Sequence, residues 1–123
     1  MTRPKGAKES ETQFTAVENT KALEELFERS RKQPIVLFKH STTCPISASA
    51  HRQMAELSKE VAGRIALVVV QRARELSRRV AELTGIQHES PQTIILRNGQ
   101  AVWSASHFDI TTTAVEQAVL ENK

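Results

Sequence analysis

Cys44 is the one residue among the 123 that can do thiol chemistry, and it has no second cysteine in its own chain. It stands in His40-Ser41-Thr42-Thr43-Cys44-Pro45-Ile46-Ser47, after the apolar run Ile35 to Phe38 and just before a proline suited to the first position of a helix. Free backbone N–H groups and the macrodipole at a helix start favour a thiolate over a thiol. The end of a central strand in an open α/β sheet is also where ligands usually bind. The competing reading is a structural cysteine buried as a small hydrophobe. The polar flanks Thr42, Thr43 and Ser47 argue for the reactive thiol. A lone cysteine excludes an intramolecular disulfide and any multi-cysteine zinc cluster.

Other residues could assist. Lys39 and His40 leave the strand just before Cys44 and could favour its thiolate, although a lysine there also reads as a solvated strand end. Arg52, Arg97 and His107 are further helper candidates. His51, seven residues beyond Cys44, lies two helical turns away, too far for direct proton transfer, and reads as a packing or surface histidine. Pro91, in Glu89-Ser90-Pro91-Gln92-Thr93, precedes a strand; an ordinary trans proline is the base-rate expectation, and only the fold can argue otherwise. The four histidines lack metal-ligand spacing, no HExxH is present, and no metal is expected. No P-loop or GxGxxG phosphate cradle occurs.

The elements that must position these residues follow from periodicity. Residues 1–12 are polar, with Pro4 and Gly6, and read as a disordered lead; a single domain is expected over 13–123. Gln13 to Val17 suits a short edge strand, with Phe14 its core candidate. Asn19 caps a helix to about Arg31 whose stripe is Leu23, Leu26 and Phe27. Ile35 to Phe38 and Ile65 to Val70 read as strands buried on both faces. Between them, Ala50, Met54, Leu57 and Val61 predict one helix from Pro45, stopped by a left-handed Gly63. A helix over about Arg72 to Thr84 buries Leu76, Val80 and Leu83 and ends at Gly85. Thr93–Leu96 and Ala101–Ser104 form a hairpin through Asn98-Gly99. A last helix from Thr111 or Thr113 carries Val115, Val119 and Leu120. The order β-α-β-α-β-α-β-β-α demands one α/β domain, a mixed sheet with helices on both faces.

Composition narrows the function classes. Seventeen basic and 14 acidic residues leave a charge of +3, interleaved along helices and not gathered into a basic block, so nucleic acid is not the expected partner. Aromatics at 4% with no Tyr argue against a stacking platform for single strands. The Ile65–Val70 run is far short of the roughly 20 residues of a membrane span, and the amino terminus lacks the apolar segment of a secretory signal. A cytoplasmic, reducing location is expected.

The strand before Cys-Pro-x-Ser at a helix start, Pro91 before a strand, and the Asn-Gly hairpin before a last helix together resemble the thioredoxin fold. More narrowly, FKHSTTCPIS at 38–47, SPQTIILRNG at 90–99 and SHFDIT at 106–111 resemble the monothiol bacilliredoxins, over roughly residues 13 to 122. That resemblance implies Cys44 as nucleophile and Thr43, Pro45, Ser47, Ser90 and Pro91 around the substrate, with Pro91 cis. Ser47 takes the place where dithiol relatives keep a resolving cysteine. His107 and Asp109 match the family pattern without a role that first principles supply. The implied reaction removes bacillithiol, a cysteine–glucosamine–malate thiol, from S-bacillithiolated proteins, with no bound cofactor and with an external thiol reductant. The CGFS motif of cluster-carrying monothiol glutaredoxins is absent. A non-catalytic thioredoxin-like interaction module and a redox sensor are the alternatives.

Overall fold

The computed structural model describes residues 13–123; the expected amino-terminal lead, 1–12, lies outside the described residues. Five strands form one sheet in the order β1-β3-β2-β4-β5. They are β1 (Phe14–Ala16), β2 (Ile35–His40), β3 (Ile65–Val69), β4 (Gln92–Arg97) and β5 (Gln100–Ser106). β3 runs parallel to both β1 and β2, whereas β4 runs antiparallel to β2 and β5. The helices are α1 (Thr20–Arg29), α2 (Pro45–Ala55), α3 (Lys59–Ala62), α4 (Arg74–Thr84) and α5 (Thr112–Glu121), with a 3-10 turn over His107–Asp109. Among the described residues, no helix is long and apolar enough to cross a membrane.

Alternation along the strands divides the core into two layers. Val36, Phe38, Ile65 and Ile95 pack with Ala50 and Met54 of α2 and with Val115, Ala118 and Val119 of α5. Ile35, Leu37, Ala66, Val68, Ile94 and Leu96 pack with Leu23 and Leu26 of α1 and with Leu76 and Val80 of α4. β2 is buried along its whole length, as a central strand covered on both faces must be. The Asn19 side chain accepts from the Ala22 N–H at 2.8 Å and so starts α1. The hairpin turns through Asn98 and Gly99, both at positive φ (57° and 77°). Arg97 then ties the hairpin down. Its guanidinium donates to the carbonyls of Ser30 and Arg31 at 3.0 and 2.9 Å, and to that of Asn122 at 3.1 Å.

The structure corrects several expectations. The single helix expected after Pro45 is two, because the last turn of α2 tightens: Glu56 N–H and Leu57 N–H donate three residues back, to Gln53 and Met54. Ser58 then caps a new start, accepting from the Glu60 N–H. The break does not strand its carbonyl, since the buried Gln13 side chain donates to the Leu57 C=O. Gly63 has positive φ (66°) but ψ of −146°, outside the left-handed helical region, whereas Gly85 at 74° and 9° is a left-handed cap. α4 starts at Arg74, two residues later than expected. Leu83 and Leu120 face outward, at 40% and 53% exposure, because each helix already buries its stripe with other residues.

Candidate functional site

The site forms where the carboxyl end of β2 meets the amino end of β4. Lys39 pairs with Gln92 across the two strands, so the residues just past Lys39 and just before Gln92 share one end of the sheet. Cys44 is half-buried and is the N-cap of α2, in an extended conformation (φ −102°, ψ 124°), with Pro45 as the first helical residue. Its side chain makes no capping hydrogen bond. Proline has no N–H, so Ile46 and Ser47 carry the first-turn amides that the helix leaves without an internal partner.

The loop before Cys44 is held from three sides. Ser47 is fully buried; its hydroxyl accepts the Ser41 N–H at 2.9 Å and lies 2.7 Å from His40 Nδ1. The Cys44 N–H reaches back to the Ser41 carbonyl at 3.5 Å. From beyond β3, the Gln71 side-chain carbonyl accepts the Thr42 N–H, and its amide donates to the Thr42 and Thr43 hydroxyls, each at 3.2 Å. Thr42, Thr43 and Pro45 are exposed. On the opposite strand the Ser90–Pro91 bond is cis, Pro91 is buried and Ser90 is half-buried. The Pro91 carbonyl accepts the His107 N–H at 3.0 Å, which fixes the 3-10 turn beside the proline. That turn packs on α2. His107 itself adopts a left-handed conformation (φ 55°), and its ring lies 3.8 Å from the Glu89 carboxylate. Phe108 is 71% exposed at this turn.

Lys39 and His40 point to opposite faces of the sheet, and neither is a solvated strand end. His40 stacks on Phe38 with ring centres 5.5 Å apart and meets His51 at a tilt at 4.8 Å, and His51 stacks on Phe14 at 4.5 Å. Burial first, and the neighbouring His51 second, push the His40 pKa down to about 4. His40 is therefore neutral at neutral pH and offers Cys44 no positive charge; the expectation of electrostatic support from it is corrected to a hydrogen-bonding role through Ser47. His51 is a packing residue as its spacing suggested, and burial lowers its pKa too.

Lys39 is the surprise. It is completely buried on the α4 face, and burial lowers its pKa to about 8, so it stays mostly protonated at pH 7. Its ammonium donates to His88 Nδ1 at 3.1 Å, which leaves that imidazole neutral with its proton on Nε2. Burial, with the Lys39 charge second, lowers the His88 pKa. His88 and Gln71 are the site residues that sequence reasoning missed. His88 lies three residues before Pro91, the only local hint; Gln71 sits in an ordinary strand-to-helix link and carries none. Arg52 lies on the exposed side of α2, and Arg97 sits at the far end of β4, serving the hairpin. Among the described residues no three His, Cys, Asp or Glu side chains stand together as a metal-binding group.

Comparison with known proteins agrees with this geometry. Residues 15–115 match the family model described as monothiol bacilliredoxin BrxC. A solved protein with a thioredoxin fold, described as an oxidoreductase, shares 32% identity at a TM-score of 0.81, covering 89% of this chain and 96% of its own. Fasciola hepatica thioredoxin is 17% identical at a TM-score of 0.70, covering 88% of this chain and 98% of its own. Schistosoma mansoni thioredoxin is 19% identical at 0.70, covering 89% and 95%. At those identities the two thioredoxins speak for the fold alone.

Proposed function

Because the chain belongs to the monothiol bacilliredoxin family and has the thioredoxin fold of a thiol-redox protein, we propose that Cys44 removes bacillithiol from S-bacillithiolated proteins. The thiolate is the attacking species in such an exchange. Cys44 sulfur attacks the bacillithiol sulfur of the mixed disulfide; the protein–bacillithiol S–S bond breaks, and the protein sulfur leaves as a thiolate that takes a proton from water. Cys44 then carries bacillithiol in a new disulfide. A second, external thiolate attacks that adduct and returns Cys44 to the reduced form. The electron pair thus comes from outside the chain, since Cys44 is its only cysteine.

The observation that carries this reading is the pairing of Cys44 at the start of α2 with Ser47 three residues on, buried and committed to Ser41 and His40. A hydroxyl so engaged supplies no resolving sulfur. Intact-mass measurement tests the proposal. Wild type incubated with bacillithiol disulfide, or with a bacillithiolated protein, should gain one bacillithiol, and Cys44→Ser none. Transfer from glutathione disulfide should be poorer. Equal transfer from both disulfides would remove the bacillithiol preference. An unmodified Cys44 in every incubation would leave a non-catalytic interaction module as the better account.

A further inference from the structure

Gln71 reaches the Cys44 loop from an anchored base. It lies in the link between β3 and α4, and the backbone is fixed on both sides of it. The Val70 N–H donates to the His40 carbonyl at 3.0 Å. The Arg72 and Ala73 N–H groups both donate to the Val69 carbonyl, at 3.0 and 3.1 Å. The side chain that leaves this link meets Thr42 and Thr43, the two residues before Cys44.

The direction of its three hydrogen bonds follows from the chemistry of the partners. A backbone N–H can only donate, so the Thr42 N–H fixes the Gln71 amide with its oxygen towards it, at 3.2 Å. The Nε2 hydrogens then face the Thr42 and Thr43 hydroxyl oxygens, each at 3.2 Å. Both hydroxyls must accept, and each keeps its own hydrogen to give elsewhere. The Ser41 hydroxyl lies 3.4 Å from that of Thr43; whichever of the two donates to the other, one hydrogen of that pair is left over. A hydroxyl that accepts a hydrogen bond is also the stronger donor. Thr42 and Thr43 are exposed, and Thr43 is bonded directly to Cys44, with about 3.8 Å between successive Cα atoms.

We propose that Gln71 is a positioning residue for the exchange at Cys44. By setting the Thr42 and Thr43 hydroxyls as donors, it makes the surface beside the thiol favour a disulfide whose organic group carries an acceptor oxygen, a carboxylate above all, over one that carries an amine. The assignment rests on the reading of Cys44 as the residue that takes up the exchanged thiol.

Two small disulfides of similar size read this preference: dithiodipropionate, with carboxylate ends, and cystamine, with ammonium ends. The rate at which each modifies Cys44 is followed by intact mass, and the ratio of carboxylate to ammonium rates is compared between wild type and variants. In Thr42→Val/Thr43→Val the ratio should fall about tenfold, the loss of one hydrogen bond to a charged acceptor, and Thr42→Ser/Thr43→Ser should restore it. Gln71→Met should lower the ratio about threefold, yet leave it unchanged in the Thr42→Val/Thr43→Val background, because Gln71 acts through the hydroxyls. A ratio indifferent to the loss of both hydroxyls overturns the proposal. So does a Gln71→Met protein slowed equally with both disulfides, since Gln71 would then support the loop and nothing more. The pH midpoint of Cys44 alkylation by neutral iodoacetamide should be the same in wild type and Thr42→Val/Thr43→Val. A rise in the variant would aim the hydroxyls at the sulfur and overturn the proposal as well. Bacillithiol disulfide is the remaining arm. A wild type that shows the carboxylate preference yet takes up no bacillithiol would overturn the proposed substrate and uphold the hydroxyl donors.

Discussion

Acid should unfold this protein earlier than its surface charges suggest, and His40 should be the main reason. An ordinary histidine in the unfolded chain has a pKa of about 6.5, whereas burial and His51 bring the folded His40 to about 4. The unfolded chain therefore binds the extra proton first. The stability that depends on a neutral His40 is complete above about pH 6.5 and is lost as the pH falls towards 4. With these two values, moving from pH 8 to pH 5 costs about 2 kcal/mol, and the full loss below pH 4 approaches about 3 kcal/mol. The lowered pKa values of His51 and His88 act in the same direction. At a urea dependence of about 1.5 kcal/mol per molar, the unfolding midpoint of the reduced protein should drop by more than about 1 M between those pH values. His40→Gln removes the titrating ring. Its stability at pH 8 should be lower, from the lost stack and hydrogen bond, but its dependence on pH should be visibly flatter. A wild-type midpoint that does not move between pH 8 and 5, or a His40→Gln protein with the same slope, would refute the account of a buried neutral imidazole.

Ser47→Ala should still accept bacillithiol on Cys44, because the hydroxyl supplies no sulfur. It should nevertheless lose about 1–3 kcal/mol in urea unfolding, since the Ser41 N–H and His40 Nδ1 are left unpaired. Arg97→Ala should cost about 2 kcal/mol by stranding its contacts to the Ser30, Arg31 and Asn122 carbonyls. Amide exchange should then quicken at residues 98–100 and at the end of α5, while Cys44 transfer continues.

Much of the frame was legible because the physics behind it is local. Unbroken apolar runs mark β2 and β3, Pro45 marks the start of α2, and Asn98-Gly99 marks the hairpin. What failed depended on contacts between distant residues. The spacing of Ala50, Met54, Leu57 and Val61 passes unchanged through the break at Glu56–Ser58, so periodicity alone could not reveal it; a Gln13 side chain 44 positions away stabilises it. A lysine at a strand end looks solvated until α4 and His88 close over it. The 3-10 turn at His107–Asp109 has no apolar pattern, and a backbone bond to Pro91 helps fix it. Around the thiol, the motif drew the eye to Cys44, Ser47 and Pro91, but only the fold brings Gln71 to Thr42 and Thr43 and His88 to Lys39.

The two neighbours Lys39 and His40 owe their separate surroundings to nothing more than parity along β2. Odd-numbered residues, Ile35, Leu37 and Lys39, face α1 and α4; even-numbered ones, Val36, Phe38 and His40, face α2 and α5. Removing a single residue from the strand would exchange the two addresses. The ammonium would turn to the α2 face and the imidazole to the α4 face, away from the loop it anchors. The chemical character of each side of the cysteine is thus encoded as an even-or-odd position, which tolerates substitution within β2 far better than any change in its length.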